Sequence, residues 1–222
     1  MECYFIKRRK LKIAMYNIKV DIINLEYRTD RKERVLKSLM QIEDLEIDER
    51  NIFKAHKSEN NGALGCAISH FSVIAEFIKQ TQYDYQIIFE DDIEFKHKVK
   101  LQELLQSLKE KFDCFLFAHN NAFMTENLDD IFSRVINSAT TSGYIITRGF
   151  APILLEKFGE SINNLSKFAH PEQKNIINSL FAIDVLWKQL QITHKFITTV
   201  PSIGYQYESF SDIELKKVNY GV

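Results

Sequence analysis

Glycine, proline and cysteine are scarce in this sequence, with 7 Gly, 3 Pro and 3 Cys among 222 residues. We find no linker, internal repeat or low-complexity tract, so the chain is not divided into several domains. The cysteines are odd in number, lie far apart, and lack the paired spacings that hold zinc or form a redox motif. A reducing compartment is therefore the simpler interpretation.

An excess of one charge is also lacking, since 29 Lys and Arg face 30 Asp and Glu, for a net charge of -1. This balance gives no global field to attract nucleic acid, and we expect no nucleic-acid partner. No stretch approaches the roughly 20 apolar residues of a membrane-spanning helix, and the amino terminus has no apolar core typical of a signal peptide. We expect a cytosolic protein whose basic cluster at residues 7–12 allows at most peripheral membrane contact.

A good hydrophobic core is available, because 45% of the residues are hydrophobic and 12% are aromatic. We interpret residues 1–16 as a loose basic arm and residues 17–222 as one domain. Strands are predicted at 18–25, 86–89, 113–118, 143–147 and 195–200, and helices after Asp30 and at 63–80, 101–108, 153–158 and 181–190. Residues 201–212 are predicted to form a loop. This alternation predicts an α/β fold with a largely parallel sheet covered by helices on both faces, and with ligands at the carboxyl ends of its strands.

Three acids end a buried strand in the segment IIFEDDIEF, residues 87–95. Burying Glu90, Asp91 and Asp92 without partners would be costly. A divalent cation removes that cost, and carboxylate oxygens suit Mn²⁺ or Mg²⁺, which can bridge the phosphates of a nucleotide. The alternative is an exposed acidic turn or a cap of the next helix.

Basic residues follow the first strand, in the loop NLEYRTDRKER. Arg28 and Arg31 lie where such folds bind nucleotides, and a guanidinium group can hold phosphate or stack on a base. An ordinary helix start with solvated charges is the alternative. The spacing of Asp30 and Glu33 predicts a capping box at this helix.

A helix start flanked by two glycines, GALGCAISH, places His70 beside an apolar face. Such a helix start can bring backbone amides to a diphosphate, although tight packing around a core histidine explains the pattern equally. Another acid, Asp184, stands in the apolar segment FAIDVLW. It is either a helix cap or a base that removes a proton from an acceptor hydroxyl.

Taken in order, these segments resemble glycosyltransferase family 25, which includes lipopolysaccharide and collagen galactosyltransferases. The resemblance rests on INLEYRTDRKERV, GALGCAISHFSVI, FEDDIEF, SGYIITRGFAPILL and PSIGYQYESFSDI, and it spans residues 20–214. It implies a GT-A type fold, a UDP-sugar donor that is often UDP-galactose, a glycan or glycolipid acceptor, a manganese-like ion, and inversion at the anomeric carbon.

The resemblance also implies roles for individual residues. Asp92, with Asp91, would contact the metal, and Asp184 would be the catalytic base. The expected donor-binding residues are Arg28, Asp30, Arg31, His70, Glu90 and Asp91.

One departure from the family pattern is Phe150, which stands where a small residue is expected. It motivates a second hypothesis, a non-catalytic module that binds a nucleotide sugar or a glycan. A metal-dependent phosphohydrolase is a third hypothesis, but we find no convincing set of further ligands for a second ion.

Overall fold

Strands and helices alternate in the computed structural model, which describes residues 16–108, 112–119, 125–167, 173–211 and 216–218. The helices are α1 (Thr29–Leu39), α2 (Gly62–Lys79), α3 (Leu101–Leu108), α4 (Ala151–Ser166), α5 (Lys174–Phe181), α6 (Ile183–Leu186) and α7 (Lys188–Thr193), with a 3-10 turn at Glu49–Asn51. The strands are β1 (Ile18–Asn24), β2 (Ile42–Glu43), β3 (Ile52–Lys54), β4 (Tyr85–Glu90), β5 (Ile93–Phe95), β6 (Val99–Lys100), β7 (Cys114–Leu116), β8 (Thr125–Asn127), β9 (Phe132–Val135), β10 (Gly143–Thr147), β11 (Phe196–Thr199), β12 (Gly204–Gln206), β13 (Ser209–Ser211) and β14 (Lys216–Val218). The proposed arm lies outside the described residues, apart from its last residue, Tyr16.

The central sheet has eight strands in the order β3-β1-β4-β10-β7-β11-β9-β8. Its parallel pairs are β1 with β3, β1 with β4, and β7 with β11. The other four neighbouring pairs are antiparallel, because β10 and β9 run against the strands on either side of them. The expected largely parallel sheet is not confirmed, and the sheet is mixed. A parallel pair needs a crossover connection, usually a helix, whereas the described residues between β7 and β10 form the β8–β9 hairpin and no helix.

Helices cover both faces of this sheet, as expected. Successive side chains of a strand point to opposite faces, and in β4 Ile88 joins one core while Ile87 and Phe89 join the other. The first core is closed by α2, α4 and α6, and the second by α1 and α3. The two cores hold the ends of β1 and β4 in fixed positions.

Helix α2 positions the site residues of the GALGCAISH segment. It begins where the Asn61 side chain accepts a hydrogen bond from the Ala63 amide at 3.1 Å. An added Cβ at Gly65 would lie only 2.5 Å from the His56 carbonyl oxygen, so glycine is needed for this close approach. Among the described helices, α2 alone is long and apolar enough to cross a membrane, but it packs against α4 and the sheet as a core helix.

The capping box predicted at Asp30 and Glu33 is wrong. Helix α1 begins at Thr29, and its first turn has no side-chain cap. Asp30 instead accepts two hydrogen bonds of 3.0 Å from the Arg28 guanidinium. A carboxylate so close to a cation gains more from that cation than from a backbone amide.

Two other predictions differ from the structure near the carboxyl end. The helix predicted at 181–190 is three short helices, α5 to α7, and the loop predicted at 201–212 contains the short strands β12 and β13. Phe150 is a core residue, 1% exposed, with its ring centroid 5.6 Å from that of Phe196. Its bulk is therefore explained by packing.

Candidate functional site

A cavity of about 300 Å³ opens where β1 and β4 end. Because these strands are parallel neighbours, the segments that follow them meet at one edge of the sheet. The wall of the cavity combines polar and apolar side chains of β4, α1, α2 and the loop 55–59. The lining residues used below are Tyr27, Arg31, Lys57, Cys66, His70, Glu90, Asp91, Asp92 and Gln206.

Arg31 and Asp91 form a buried ion pair in the cavity wall. Arg31 Nη1 lies 2.7 Å from Asp91 Oδ1 and 3.5 Å from Asp92 Oδ2. Asn24, the last residue of β1, donates from Nδ2 to Asp91 Oδ2 at 2.8 Å. Burial raises the pKa of Asp91 even though the guanidinium and the amide lower it. Both oxygens of Asp91 are thus occupied, and they hold Arg31 in place.

Asp92 is the acid with a free oxygen. Its Oδ2 accepts from Gln206 Nε2 at 3.0 Å, whereas its buried Oδ1 has no hydrogen-bond partner. Burial, and then the charges of Glu90 and Asp91, raise the pKa of Asp92 to about 7. A single nearby guanidinium does not balance these carboxylates, so the free oxygen is placed to take a cation or a proton.

Strand β12 brings Gln206 to this position. Gln206 pairs with Ile93 in the small antiparallel sheet of β12 and β5, directly after the acidic segment. The next residue, Tyr207, donates its amide to the Asp92 carbonyl oxygen at 3.2 Å and packs its ring 3.5 Å from the Arg34 guanidinium carbon. A segment distant in sequence therefore closes the site from one side.

Glu90 is surrounded by hydrogen-bonding groups. Thr141 Oγ1 donates to Glu90 Oε1 at 2.6 Å, and His70 Nε2 lies 3.3 Å from the same oxygen. Burial acts to raise the pKa of Glu90, but the imidazole and the hydroxyl outweigh it and lower that pKa. His70 Nδ1 is 2.8 Å from the Tyr144 hydroxyl. Glu90 is thus an ionised acid with a fixed orientation.

Cys66 lies one helical turn before His70 and faces the same cavity. Its Sγ, His70 Nε2 and a carboxylate oxygen of Glu90 all lie within 4.8 Å of one another. Burial raises the pKa of the Cys66 thiol well above its ordinary value. These three residues form a possible metal-binding triad that sequence reasoning missed, because it looked for cysteines paired with one another.

The structure brings together five of the residues predicted for the site and leaves three outside the cavity. Arg31, His70, Glu90, Asp91 and Asp92 line the cavity. Arg28 and Asp30, which bind each other, and Asp184 on α6 are not among the lining residues. Burial, and then the charge of Glu90, raise the pKa of Asp184 to about 6. Asp184 is therefore within electrostatic reach of the acidic cluster.

Several residues that support the acids were not singled out from the sequence. Asn24 and Gln206 lie in segments that carry the family resemblance, but nothing in those segments marks them as partners of the acids. Thr141 precedes β10 in a run of small hydroxyl residues, a pattern that predicts no particular contact. An amide or hydroxyl at a strand end, or within two residues of one, is the signal that could have found all three.

The fold and the cavity define an α/β protein with a cavity lined by charged residues at the edge of its central sheet. The model of glycosyltransferase family 25, described as an LPS biosynthesis protein family, matches residues 48–170, more than half of the chain. The chain belongs to glycosyltransferase family 25. The resemblance drawn from the sequence motifs is thereby confirmed.

Individual relatives are distant. The protein named "Putative glycosyltransferase R655" of Acanthamoeba polyphaga mimivirus is 28% identical over 139 residues, which is 53% of this chain and 40% of the mimivirus protein. The chain thus spans less than half the length of this curated relative. The crystal structure of A197 from STIV covers 92% of this chain and 93% of its own, with 13% identity and a TM-score of 0.48.

A glycosyltransferase involved in the glycosylation of the major capsid of PBCV-1 is a further structural neighbour. It covers 74% of each chain with 7% identity and a TM-score of 0.41. Because both TM-scores are low, the family assignment depends on the sequence match.

Proposed function

We propose that the chain is a glycosyltransferase that moves a hexose, with galactose as the expected sugar, from a UDP-sugar to a hydroxyl of a surface glycan such as lipopolysaccharide. The proposal includes a GT-A type organisation, inversion at the anomeric carbon, and action in the cytosol or at the inner face of the membrane. It is supported by the family membership and, above all, by one observation: a cavity at the strand ends that holds Arg31 beside three carboxylates.

Arg31 is the proposed contact for the donor diphosphate. Its guanidinium is held by Asp91 at 2.7 Å, so its position is fixed before a donor binds. A preorganised positive charge stabilises the charge that develops on a leaving diphosphate. Tyr27, which is 53% exposed and lies near the Lys57 ammonium, offers an aromatic face for the nucleobase at the cavity wall. We place Arg28 and Asp30 near the nucleotide, outside the cavity lining.

A divalent cation, Mn²⁺ or Mg²⁺, is part of the proposal, with Asp92 and Asp91 as its ligands. The residues fit such an ion because Asp92 Oδ1 is buried without a hydrogen-bond partner and the ligands are hard oxygens. When bound, the ion would supply positive charge against the leaving diphosphate. Because Asp91 uses both oxygens within the protein, Asp92 is the principal ligand in this proposal.

Asp184 is the proposed base. Its pKa of about 6 leaves it mostly ionised at neutral pH, yet it binds a proton more strongly than an ordinary aspartate does. Its carboxylate takes the proton of the acceptor hydroxyl as the oxygen attacks the anomeric carbon. The bond from that carbon to the UDP oxygen breaks, UDP leaves with the electron pair, and the configuration is inverted.

The test is release of UDP when the full chain is incubated with Mn²⁺ and UDP-galactose, first with water and then with glycan acceptors. We expect slow release that Asp92→Asn and Asp184→Asn abolish. The matched control is Asp130→Asn, since Asp130 is exposed and lies outside the cavity. The absence of UDP release from every UDP-hexose, with and without acceptor, would refute the proposal.

A non-catalytic module that binds a nucleotide sugar is the second candidate. The observation that favours it is the internal bonding of Asp91, which is consistent with a purely structural acidic segment. Phe150 does not favour it, because this residue belongs to the core. The module predicts that Asp92→Asn leaves UDP binding unchanged in calorimetry with Mn²⁺. Binding of UDP that requires both Mn²⁺ and Asp92 would exclude it.

A further inference from the structure

The wall of the cavity formed by α2 and the end of β4 carries a set of ligands to which the proposed transfer assigns no chemical step, although His70 and Glu90 are also expected to lie near the donor. Cys66 and His70 lie four residues apart and so share one face of the helix. Glu90, at the end of β4, completes the triad, whose three ligand atoms lie within 4.8 Å of one another. Thiolate, imidazole and carboxylate together are ligands that zinc accepts in proteins.

The imidazole of His70 is buried and held in an orientation in which it could bind a metal ion. The side chain is fully buried, and Nε2 faces Glu90 Oε1 at 3.3 Å without an aligned hydrogen bond. Its other nitrogen, Nδ1, lies 2.8 Å from the Tyr144 hydroxyl. When a cation lies between Cys66, His70 and Glu90, the proton is on Nδ1, the Tyr144 hydroxyl accepts it, and the Nε2 lone pair binds the cation. A histidine that binds a metal usually donates its other N–H in this way, which fixes both the tautomer and the ring orientation.

The distance between the nitrogen ligand of His70 and the oxygen ligand of Glu90 fits a tetrahedral ion. His70 Nε2 and Glu90 Oε1 are 3.3 Å apart without forming an aligned hydrogen bond. Bonds of about 2.0 to 2.1 Å at a tetrahedral angle separate two such atoms by about 3.3 Å. The observed nitrogen-to-oxygen distance therefore matches the one between two ligands of a shared zinc ion.

We propose that Cys66, His70 and Glu90 form a zinc site whose fourth coordination position faces the cavity. Binding releases the thiol proton to solvent, and the thiolate and carboxylate then balance the two charges of the ion around a neutral imidazole. The soft sulfur ligand distinguishes this site from the all-oxygen site at Asp92. The inference does not depend on glycosyl transfer and holds for an inactive binding module as well.

Co²⁺ is a spectroscopic probe for this site in the purified full-length chain. We expect one equivalent of Co²⁺ to produce a thiolate-to-cobalt charge-transfer band that Zn²⁺ abolishes. Cys66→Ala should remove the band and weaken Zn²⁺ binding by more than about 100-fold, since even the loss of an outer partner weakens binding by about 10- to 100-fold. The matched control is Cys114→Ala, a buried cysteine of β7 outside the triad, which should keep both properties.

Two further variants separate this site from alternatives. Tyr144→Phe should keep the thiolate band but weaken Zn²⁺ binding by about 10- to 100-fold, because His70 loses its outer partner. Asp92→Asn should keep the band and change Zn²⁺ affinity only a few-fold. The proposal is overturned if Co²⁺ gives no thiolate band, if Cys66→Ala binds Zn²⁺ as the parent does, or if Asp92→Asn alone abolishes binding. None of these outcomes bears on UDP release.

Discussion

Asp184→Asn should make the protein more stable at alkaline pH while removing the proposed base. The pKa of Asp184 is raised from 3.8 to about 6, first by burial and then by the charge of Glu90. The folded protein therefore binds this proton more tightly than the unfolded chain does. Ionising Asp184 therefore lowers the free energy of unfolding of the wild-type protein. This loss of stability is absent below pH 4, grows as the pH rises toward the folded pKa of about 6, and is complete above it.

The size of the effect follows from the shift. A change of roughly two pKa units corresponds to an upper limit of about 3 kcal/mol in the free energy of unfolding. The expected change in the free energy of unfolding is smaller, about 1 to 2 kcal/mol, because the Asp184 side chain keeps partial solvent access. It also accepts hydrogen bonds from its own amide and from the Val185 amide. For a chain of this size, the melting temperature should rise by roughly 2 to 8 °C.

Thermal unfolding of the parent and the variant at pH 8 and pH 4 measures this. The melting temperature of Asp184→Asn should exceed that of the parent at pH 8 and nearly equal it at pH 4. Asp30→Asn is the matched control, since Arg28 lowers the pKa of exposed Asp30 and the same substitution should bring no gain at either pH. Equal stabilisation by Asp184→Asn at both pH values, or destabilisation at pH 8, would refute the reasoning.

Two other predictions concern Arg31 and the glycines. Arg31→Met should lower the free energy of unfolding by about 3 to 5 kcal/mol, because it leaves Asp91 buried without its cation; urea unfolding that matched the parent would contradict this. Gly65→Ala should cost about 1 to 3 kcal/mol, because the new methyl group meets the His56 carbonyl oxygen at 2.5 Å. Gly149→Ala is the control: its new methyl group meets nothing within 4 Å, and the free energy of unfolding should change by less than about 0.5 kcal/mol. Equal losses of stability in the two variants would contradict the close contact between Gly65 and the His56 carbonyl oxygen.

Long or strongly apolar elements could be predicted from the sequence. β1, α2, β4 and β10 lie within about one residue of their predicted bounds, because the apolar residues of α2 recur at helical intervals and the three strands are nearly continuous buried runs. Strands of two to four residues, such as β2, β5, β6 and β9, carry too short a pattern to be recognised. The alternation of strands and helices predicts a parallel β10, but the short β8–β9 hairpin before β10 was not recognised, and β10 is antiparallel to both of its neighbours.

The candidate site could be predicted only in part, for a related reason. The acids and Arg31 were found because they cluster at the ends of recognisable elements. Their partners come from distant segments: Gln206 lies 114 residues from Asp92, and Asn24 lies 67 residues from Asp91. Conversely, Arg28 and Asp30 are neighbours that bind each other, and no sequence pattern shows that this local pair satisfies them without a nucleotide.

Burial of an acid does not by itself mark a site, and the central sheet provides the comparison. Asp21, in the middle of β1, is also buried and has a raised pKa, but Lys19 forms an ion pair with it and Gln86 donates to it at 2.6 Å. Its charge is therefore matched by local partners away from the cavity lining. Asp92 has a buried oxygen without a partner, two further carboxylates nearby, and a cavity in front of it. The negative charge around Asp92 is therefore left for a bound cation to neutralise, whereas the charge of Asp21 is not. This difference in pairing, more than the number of acids, places the candidate site at the end of β4.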